Sequence, residues 1–131
     1  MASGQIRPGS ARHFFQFWLP LLAYVALIFT LSAQPYLKPP LQFENSDKVM
    51  HLLEYGGLGI LLLRVVRSSQ PRRGLAAIAA LAIGMALGAL DEKFQAFIPG
   101  RDSSVFDWLA DSVGVGLAQV LGLAWTDIWE S

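Results

Sequence analysis

The chain has 131 residues, of which 53% are hydrophobic and 15% are charged, and its 10 basic and 10 acidic residues give a net charge of zero. A soluble domain of this size usually carries about 25% charged residues, so lipid must replace water over much of the surface. The zero net charge argues against a nucleic-acid partner, and the absence of cysteine excludes disulfides, thiolate nucleophiles and zinc-thiolate sites.

Four stretches are long and apolar enough to be membrane helices, each of which needs about 20 residues to cross a bilayer. They run over residues 14–32, 48–66, 75–97 and 106–125. The first is longer than the ~7–15 residues of a signal-peptide core, and Leu31 stands where a small residue should precede the cleavage site. We therefore predict an all-α integral membrane bundle of four transmembrane helices.

The segments outside these stretches set the predicted domain boundaries. We expect residues 1–12 to be a disordered cytoplasmic leader, 13–126 to be the four-helix domain and 127–131 to be a short tail. The connection 33–47 contains three prolines among apolar residues, which indicates an irregular segment at the membrane interface that could cover the polar residues.

The arginines predict how the helices are oriented, because cytoplasmic connections carry an excess of Lys and Arg. Six of the 10 basic residues lie before the first stretch or around the connection between the second and third. They are Arg7, Arg12, Arg64, Arg67, Arg72 and Arg73. Both termini are then cytoplasmic, and connections 33–47 and 98–105 face outward.

Acidic residues collect at the opposite, outer side. Seven of the 10 acidic residues lie between positions 47 and 111: Asp47, Glu54, Asp91, Glu92, Asp102, Asp107 and Asp111. A span of ~17 residues that ends at Val66 already places His51 and Glu54 within the hydrocarbon. Ionisable groups at that depth are costly unless they face protein or a water-filled cavity.

Helical periodicity places these polar groups on single faces, with small residues farther along two of them. Asp47, His51 and Glu54 are spaced 0, +4, +7, and so are Asp107, Asp111 and Gly114. Small residues recur every four positions in two rows: Ala76, Ala80, Gly84 and Gly88, and Ala110, Gly114, Ala118 and Gly122. Such rows let helices pack closely in lipid, which would hold the polar ends together.

Five short motifs follow one another along the chain. They are Ser32-Ala33-Gln34-Pro35, Asp47-Lys48-Val49-Met50-His51 with Glu54-Tyr55, Asp91-Glu92 with Gln95, Pro99-Gly100-Arg101, and Asp107 with Gly114. Together they resemble the VanZ-like family of small bacterial membrane proteins over residues 20–122. The resemblance implies a location in the inner (cytoplasmic) membrane of a bacterial cell, with the polar site facing outward. It also implies a link to low-level resistance to the glycopeptide teicoplanin, with which the namesake is associated. Asp111 stands where the family usually has Asn, and Asp102 where a small or hydroxyl residue is common.

The polar residues predict a site with acid–base and anion-binding chemistry. The candidate acid–base residues are His51, Glu54, Asp91 and Glu92, because carboxylates and imidazole in a low-dielectric setting can exchange protons near neutral pH. The candidate ligand-binding residues are Asp47, Gln95, Arg101, Asp107 and Asp111. If the site holds a metal, we expect His51, Asp91 and Glu92 to hold a divalent cation such as Mg²⁺; no cofactor motif is evident. P-loop, nucleophile-elbow and HExxH patterns are absent.

Three functions fit this pattern. In the first, the site binds or transforms the head group of an envelope lipid or a lipid-linked cell-wall precursor, with Arg101 and Lys48 on the anion. In the second, the polar residues form a structural core of a non-catalytic binding protein. In the third, a dimer acts as a proton- or cation-coupled carrier. Whether the protein is an enzyme, and whether it forms a homodimer, stays open at this point.

Overall fold

The computed structural model describes residues 6–35 and 43–130, with side chains up to Trp125. It is all-helical over these residues, and its four helices run up and down through one bundle. Helix α1 is Ala11–Ser32, α2 is Ser46–Arg67, α3 is Arg73–Gln95 and α4 is Val105–Glu130. Each is long and apolar enough to cross a membrane, which confirms the predicted fold class.

The helix ends differ from the sequence expectation by a few residues. Helix α1 begins at Ala11, where the Ser10 hydroxyl accepts a hydrogen bond from the amide of His13, so part of the expected leader is helical. Helix α4 continues to Glu130, through most of the expected tail. Residues 1–5 of the leader, 36–42 of the expected cover over the polar residues, and 131 lie outside the described residues.

Helix α1 contains a π-helical segment at Phe14–Trp18, directly before Pro20. Proline has no amide hydrogen, so Pro20 cannot donate to the carbonyl of Gln16 four residues earlier. Arg64 of α2 donates to that carbonyl at 3.4 Å instead, and its guanidinium lies 5.4 Å from the centre of the Phe17 ring. The irregular first turns of α1 are therefore tied to the end of α2.

The core lies between α2, α3 and α4, and large apolar side chains cover the outside. Tyr55, Leu58, Ala76, Ala80 and Val115 are completely buried. The outer faces expose many large apolar side chains, which would be unfavourable in water, among them Leu53, Ile60, Ile78, Leu90, Val120 and Leu121. This distribution is expected of a helical bundle that is surrounded by lipid.

Glycines allow α2 and α4 to approach within backbone contact. A Cβ atom on Gly114 of α4 would collide with the carbonyl oxygen of Leu52 and lie 3.0 Å from the amide nitrogen of Gly56. A Cβ on Gly59 of α2 would lie 2.8 Å from the Ala118 Cβ. The small-residue row of α4 thus forms the contact with α2, while Gly84 in the row of α3 faces Val115.

We predict that Gly114→Ala destabilises the bundle by about 1–3 kcal/mol, because the added methyl group overpacks against backbone atoms that cannot move aside. The measurement is unfolding of the purified protein in mixed micelles with increasing SDS. Gly116→Ala is the matched control on the same helix, since its Cβ would have its nearest neighbour, Leu81 Cδ1, at 3.9 Å. Equal stability of the two variants would contradict the prediction.

Candidate functional site

Polar side chains from three helices meet at the end of the bundle where α2 and α4 begin and α3 ends. Helical periodicity brings them there, since the polar residues of each helix share one face. Lys48 and His51 come from α2, Glu92 from α3, and Asp107 and Asp111 from α4. These five residues are called the polar cluster below.

His51 lies at the centre of the polar cluster and faces a carboxylate on each neighbouring helix. Its Nδ1 is 2.7 Å from Asp111 Oδ1 and 3.7 Å from Glu92 Oε1, and its Nε2 is 3.9 Å from Asp107 Oδ2. The Asp111 side chain is 0% exposed and the imidazole 13%. When Nδ1 donates to Asp111, the ring is held in one orientation and Nε2 is left for another partner.

Glu92 joins the polar cluster to the start of α4. Its Oε2 accepts hydrogen bonds from the Ser104 amide at 3.1 Å and the Ser103 hydroxyl at 3.4 Å. The Ser104 hydroxyl in turn accepts a hydrogen bond from the Asp107 amide at 3.1 Å, as the side chain of an N-cap residue does. In a capping box, a glutamate within the helix accepts a hydrogen bond from the amide of the N-cap residue. Here Glu92, which belongs to α3, accepts that hydrogen bond at the start of α4.

Lys48 is the ammonium of the polar cluster and bridges two carboxylates. Its Nζ donates to Asp47 Oδ2 at 2.7 Å and to Asp107 Oδ1 at 3.1 Å. The Lys48 and Asp47 side chains are 35% and 52% exposed, so this pair lies at the mouth of the cluster. An anion that enters from this end meets the lysine first.

Asp91 and Gln95 belong to a second set of contacts on the same helix. Tyr55 of α2 donates its hydroxyl hydrogen to Asp91 Oδ2 at 2.8 Å, and Gln95 donates to the Ser32 hydroxyl at 3.2 Å. All four side chains are buried. The two bonds connect α3 to α2 and to the end of α1.

Glu54 and Arg101 lie near the polar cluster without a direct bond to it. Glu54 is half-buried, and its carboxylate is within electrostatic range of His51 and Arg101. Arg101 follows a turn in which its amide donates to the Ile98 carbonyl at 3.2 Å and Gly100 has φ 76°. Pro-Gly is the sequence that such a turn requires, and it positions the half-buried guanidinium at this end.

The chain matches a family model over nearly its whole length. The model is described as VanZ/LLP1, and it matches residues 14–126. The chain belongs to the VanZ/LLP1 family. This confirms the resemblance found in the sequence, and with the four helices it makes this VanZ/LLP1 protein a multi-pass membrane protein. No curated protein and no solved structure matches the chain.

Among the described residues, three carboxylate oxygens at this end of the VanZ/LLP1 chain are buried without a hydrogen-bond partner: Asp91 Oδ1, Glu92 Oε1 and Asp111 Oδ2. Such atoms carry a desolvation cost that a proton, a cation or a ligand donor would offset. Glu92 and Asp111 both lie against His51, whereas Asp91 belongs to the second set of contacts.

The structure brings together the predicted residues His51, Glu92, Asp107 and Asp111, and separates Asp91 and Gln95 into the second set of contacts. Asp47 is on the rim, paired with Lys48. The sequence analysis did not predict the hydrogen bonds of Tyr55 to Asp91 and of Ser103 and Ser104 to Glu92. The signals for them were present, since Tyr55 lies four residues after His51 and the two serines precede a helix that begins with an acidic turn.

An apolar groove of about 670 Å³ lies at the other end of the bundle and was not expected from the sequence. Phe17 of α1, Leu63 and Arg64 of α2, and Leu121 and Trp125 of α4 are among the residues that line it. It shares no residue with the polar cluster, so this groove of the VanZ/LLP1 fold and the polar cluster are separate features.

We predict that Tyr55→Phe destabilises the protein by about 1–3 kcal/mol, because it removes the partner of Asp91 Oδ2 and leaves both oxygens of a buried carboxylate unpaired. Unfolding with SDS measures this loss. Tyr24→Phe is the matched control, since the Tyr24 hydroxyl donates to the backbone carbonyl of Glu54, a neutral group within a helix. In the Asp91→Asn background no charge is left unpaired, so Tyr55→Phe should lower the free energy of unfolding by less than it does in the native protein. An equal loss in both backgrounds would contradict the explanation.

Proposed function

We propose that this VanZ/LLP1 protein binds the anionic head group of an envelope lipid, or of a lipid-linked cell-wall precursor, in the polar cluster and can act on it by acid–base chemistry. The observation that carries the proposal is the position of His51, held by buried Asp111 at the end of four membrane-spanning helices. Helix ends lie at the depth of lipid head groups, so a lipid can reach this site without leaving the bilayer.

The residues at the mouth have the chemistry that an anionic head group needs. Lys48 contacts Asp107, and Arg101 lies within electrostatic range of Glu54. The guanidinium of an arginine binds phosphate or carboxylate with two parallel hydrogen bonds. The Lys48 ammonium can leave the exposed Asp47 for a ligand at little cost, because exposed ion pairs contribute little.

Two groups are available for proton transfer beside a bound head group. The Nε2 of His51 is free to exchange a proton once Nδ1 is committed to Asp111, and Glu54 is half-buried nearby. The arrangement resembles other sites in which a carboxylate orients an imidazole and the opposite nitrogen acts on substrate. Glycopeptide resistance would follow if the lipid is a cell-wall precursor whose supply or exposure the protein changes.

A structural role for part of the site is the second candidate. The bonds of Glu92 to Ser103 and Ser104, and of Tyr55 to Asp91, join helices and would be needed without any ligand. On this account His51→Ala and Arg101→Ala abolish folding together with any phenotype. On the lipid account Arg101→Ala folds normally, because no hydrogen bond of the bundle runs through its half-buried side chain among the described residues.

We predict that an anionic lipid co-purifies with the native protein and that Arg101→Ala retains about ten-fold less of it, as expected for one lost charged hydrogen bond. Lipid extraction of equal amounts of folded protein and mass spectrometry measure the retained species. Lys93→Ala is the matched control, because Lys93 is an exposed cation in the last turn of α3, the helix that precedes Arg101 in the chain. Identical lipid profiles for the native protein and Arg101→Ala would contradict the proposal.

We propose further that the polar cluster faces outward from the inner membrane, because six of the 10 basic residues lie before α1 or around the connection from α2 to α3. The chain has no cysteine, so single cysteines report on topology directly. In intact spheroplasts a membrane-impermeant maleimide should label Asp102→Cys and should label Ser69→Cys only after permeabilisation. The reverse pattern would place the polar cluster on the cytoplasmic side.

A further inference from the structure

We infer that the polar cluster holds one divalent transition-metal ion on three ligands, His51, Glu92 and Asp107. One ligand atom from each of these side chains lies within 4.8 Å of the other two. The three residues come from three different helices, so the bundle itself assembles the set. The inference deepens the proposed function and rests on it for its role, since the ion would be the group that meets the lipid head group.

A buried oxygen without a partner points into the site independently of the acidic composition. Glu92 is 6% exposed, and within the described part of the chain its Oε1 has no hydrogen-bond partner, while its Oε2 accepts hydrogen bonds from Ser103 and Ser104. That Oε1 faces the imidazole of His51 at 3.7 Å. Glu92 is thus fixed by one oxygen and presents the other, as a carboxylate ligand does.

The contacts around His51 are those of a metal ligand with a supporting carboxylate. Metal-bound histidines donate their second ring N–H to a carboxylate, which fixes the tautomer and the ring plane. Asp111 Oδ1 takes this position at 2.7 Å from Nδ1. The opposite nitrogen, Nε2, is 3.9 Å from Asp107 Oδ2, the oxygen of Asp107 that Lys48 does not contact.

Ligand atoms around a tetrahedral ion with bonds of about 2.1 Å are about 3.4 Å apart. In the cluster, His51 Nε2 and Asp107 Oδ2 are 3.9 Å apart, and one ligand atom from each of the three residues lies within 4.8 Å of the other two. Glu92 Oε1 lies 3.7 Å from Nδ1 of the same ring, so side-chain movement would bring it and Nε2 onto one ion. One imidazole with two carboxylates suits Zn²⁺ or Mn²⁺ better than Mg²⁺, which prefers oxygen ligands and water. Three protein ligands also leave a coordination position for a phosphate or a water.

With the ion present, the roles of the predicted residues change. His51 becomes a ligand, and Glu54 is left as the acid–base group beside it. Asp91, a metal candidate in the sequence, lies outside the ligand set because its contact is with Tyr55. Asp111, which the sequence placed among the ligand-binding residues, becomes a positioning residue that acts through His51.

The test is Zn²⁺ binding to the purified full-length protein after removal of metal with a chelator, followed by calorimetry and by metal analysis of the dialysed protein. We expect one ion per chain in the native protein and none retained by Glu92→Gln or Asp107→Asn. Asp111→Asn should weaken binding about 10–100-fold, as loss of a supporting carboxylate does. Asp91→Asn is the matched control, with the same change of charge one residue from Glu92, and should bind as the native protein does.

A second readout guards against loss of folding in the variants. Glu92→Gln keeps an oxygen that can accept the Ser104 amide, so the start of α4 stays capped. Zn²⁺ should raise the thermal unfolding temperature of the native protein and of Asp91→Asn, but not that of Glu92→Gln, because an ion stabilises only the fold that binds it. Equal binding by native protein, Glu92→Gln and Asp107→Asn, or no binding by the native protein, would overturn the inference.

The variant Lys48→Met distinguishes an incorrect metal site from an incorrect proposal of lipid binding. Lys48→Met removes a positive charge beside Asp107, so Zn²⁺ should bind at least as tightly as in the native protein, while the anionic lipid is held less well. Lipid retained without Zn²⁺ binding overturns the metal site and leaves the proposed function standing. Zn²⁺ bound without any lipid retained supports the metal site and overturns the proposed function.

Discussion

The close approach of α2 and α4 at Gly114 determines most of this structure. Gly114 lies against the carbonyl of Leu52, which is the residue after His51, and Asp111 is one helical turn before Gly114. The distance between the two backbones therefore fixes the distance between imidazole and carboxylate. A larger residue at Gly114 would move His51 away from Asp111 even though it touches neither. In lipid, where the hydrophobic effect does not drive helices together, such packing is the main source of association.

Much of the fold, and which polar residues of a helix share one face, followed from sequence, because both depend on periodicity. Apolar length gave four helices, and spacing put the acids of three helices on inward faces. Which acidic residue contacts His51 could not be predicted, because Asp111 is 60 residues away in sequence and several other acidic residues were equally possible partners. The π-helical turn before Pro20 and the groove beside Arg64 depend on how α1 packs, which no periodicity encodes. Asp91 and Glu92 are adjacent in sequence yet point to different partners.

Binding chemistry and stability are combined in the same side chains. Glu92 caps α4 with one oxygen and faces His51 with the other, so its replacement changes the helix start and the site together. Conservative variants such as Glu92→Gln, which keep the accepting oxygen, separate the two effects better than truncation to alanine does. The same reasoning makes Arg101, on a turn outside the helices, the clearest residue for testing ligand recognition.

The distribution of charged partners along the chain also constrains how the protein enters the membrane. Helix α2, with His51 and Glu54 inside its span, is synthesised well before α4 supplies Asp107 and Asp111. Until α4 arrives, the polar end of α2 lacks those partners and is stable only near the water interface. We therefore expect insertion of α2 to its final depth to be coupled to assembly with α4. On this argument, the arrival of α4 supplies the partners that let α2 leave the interface.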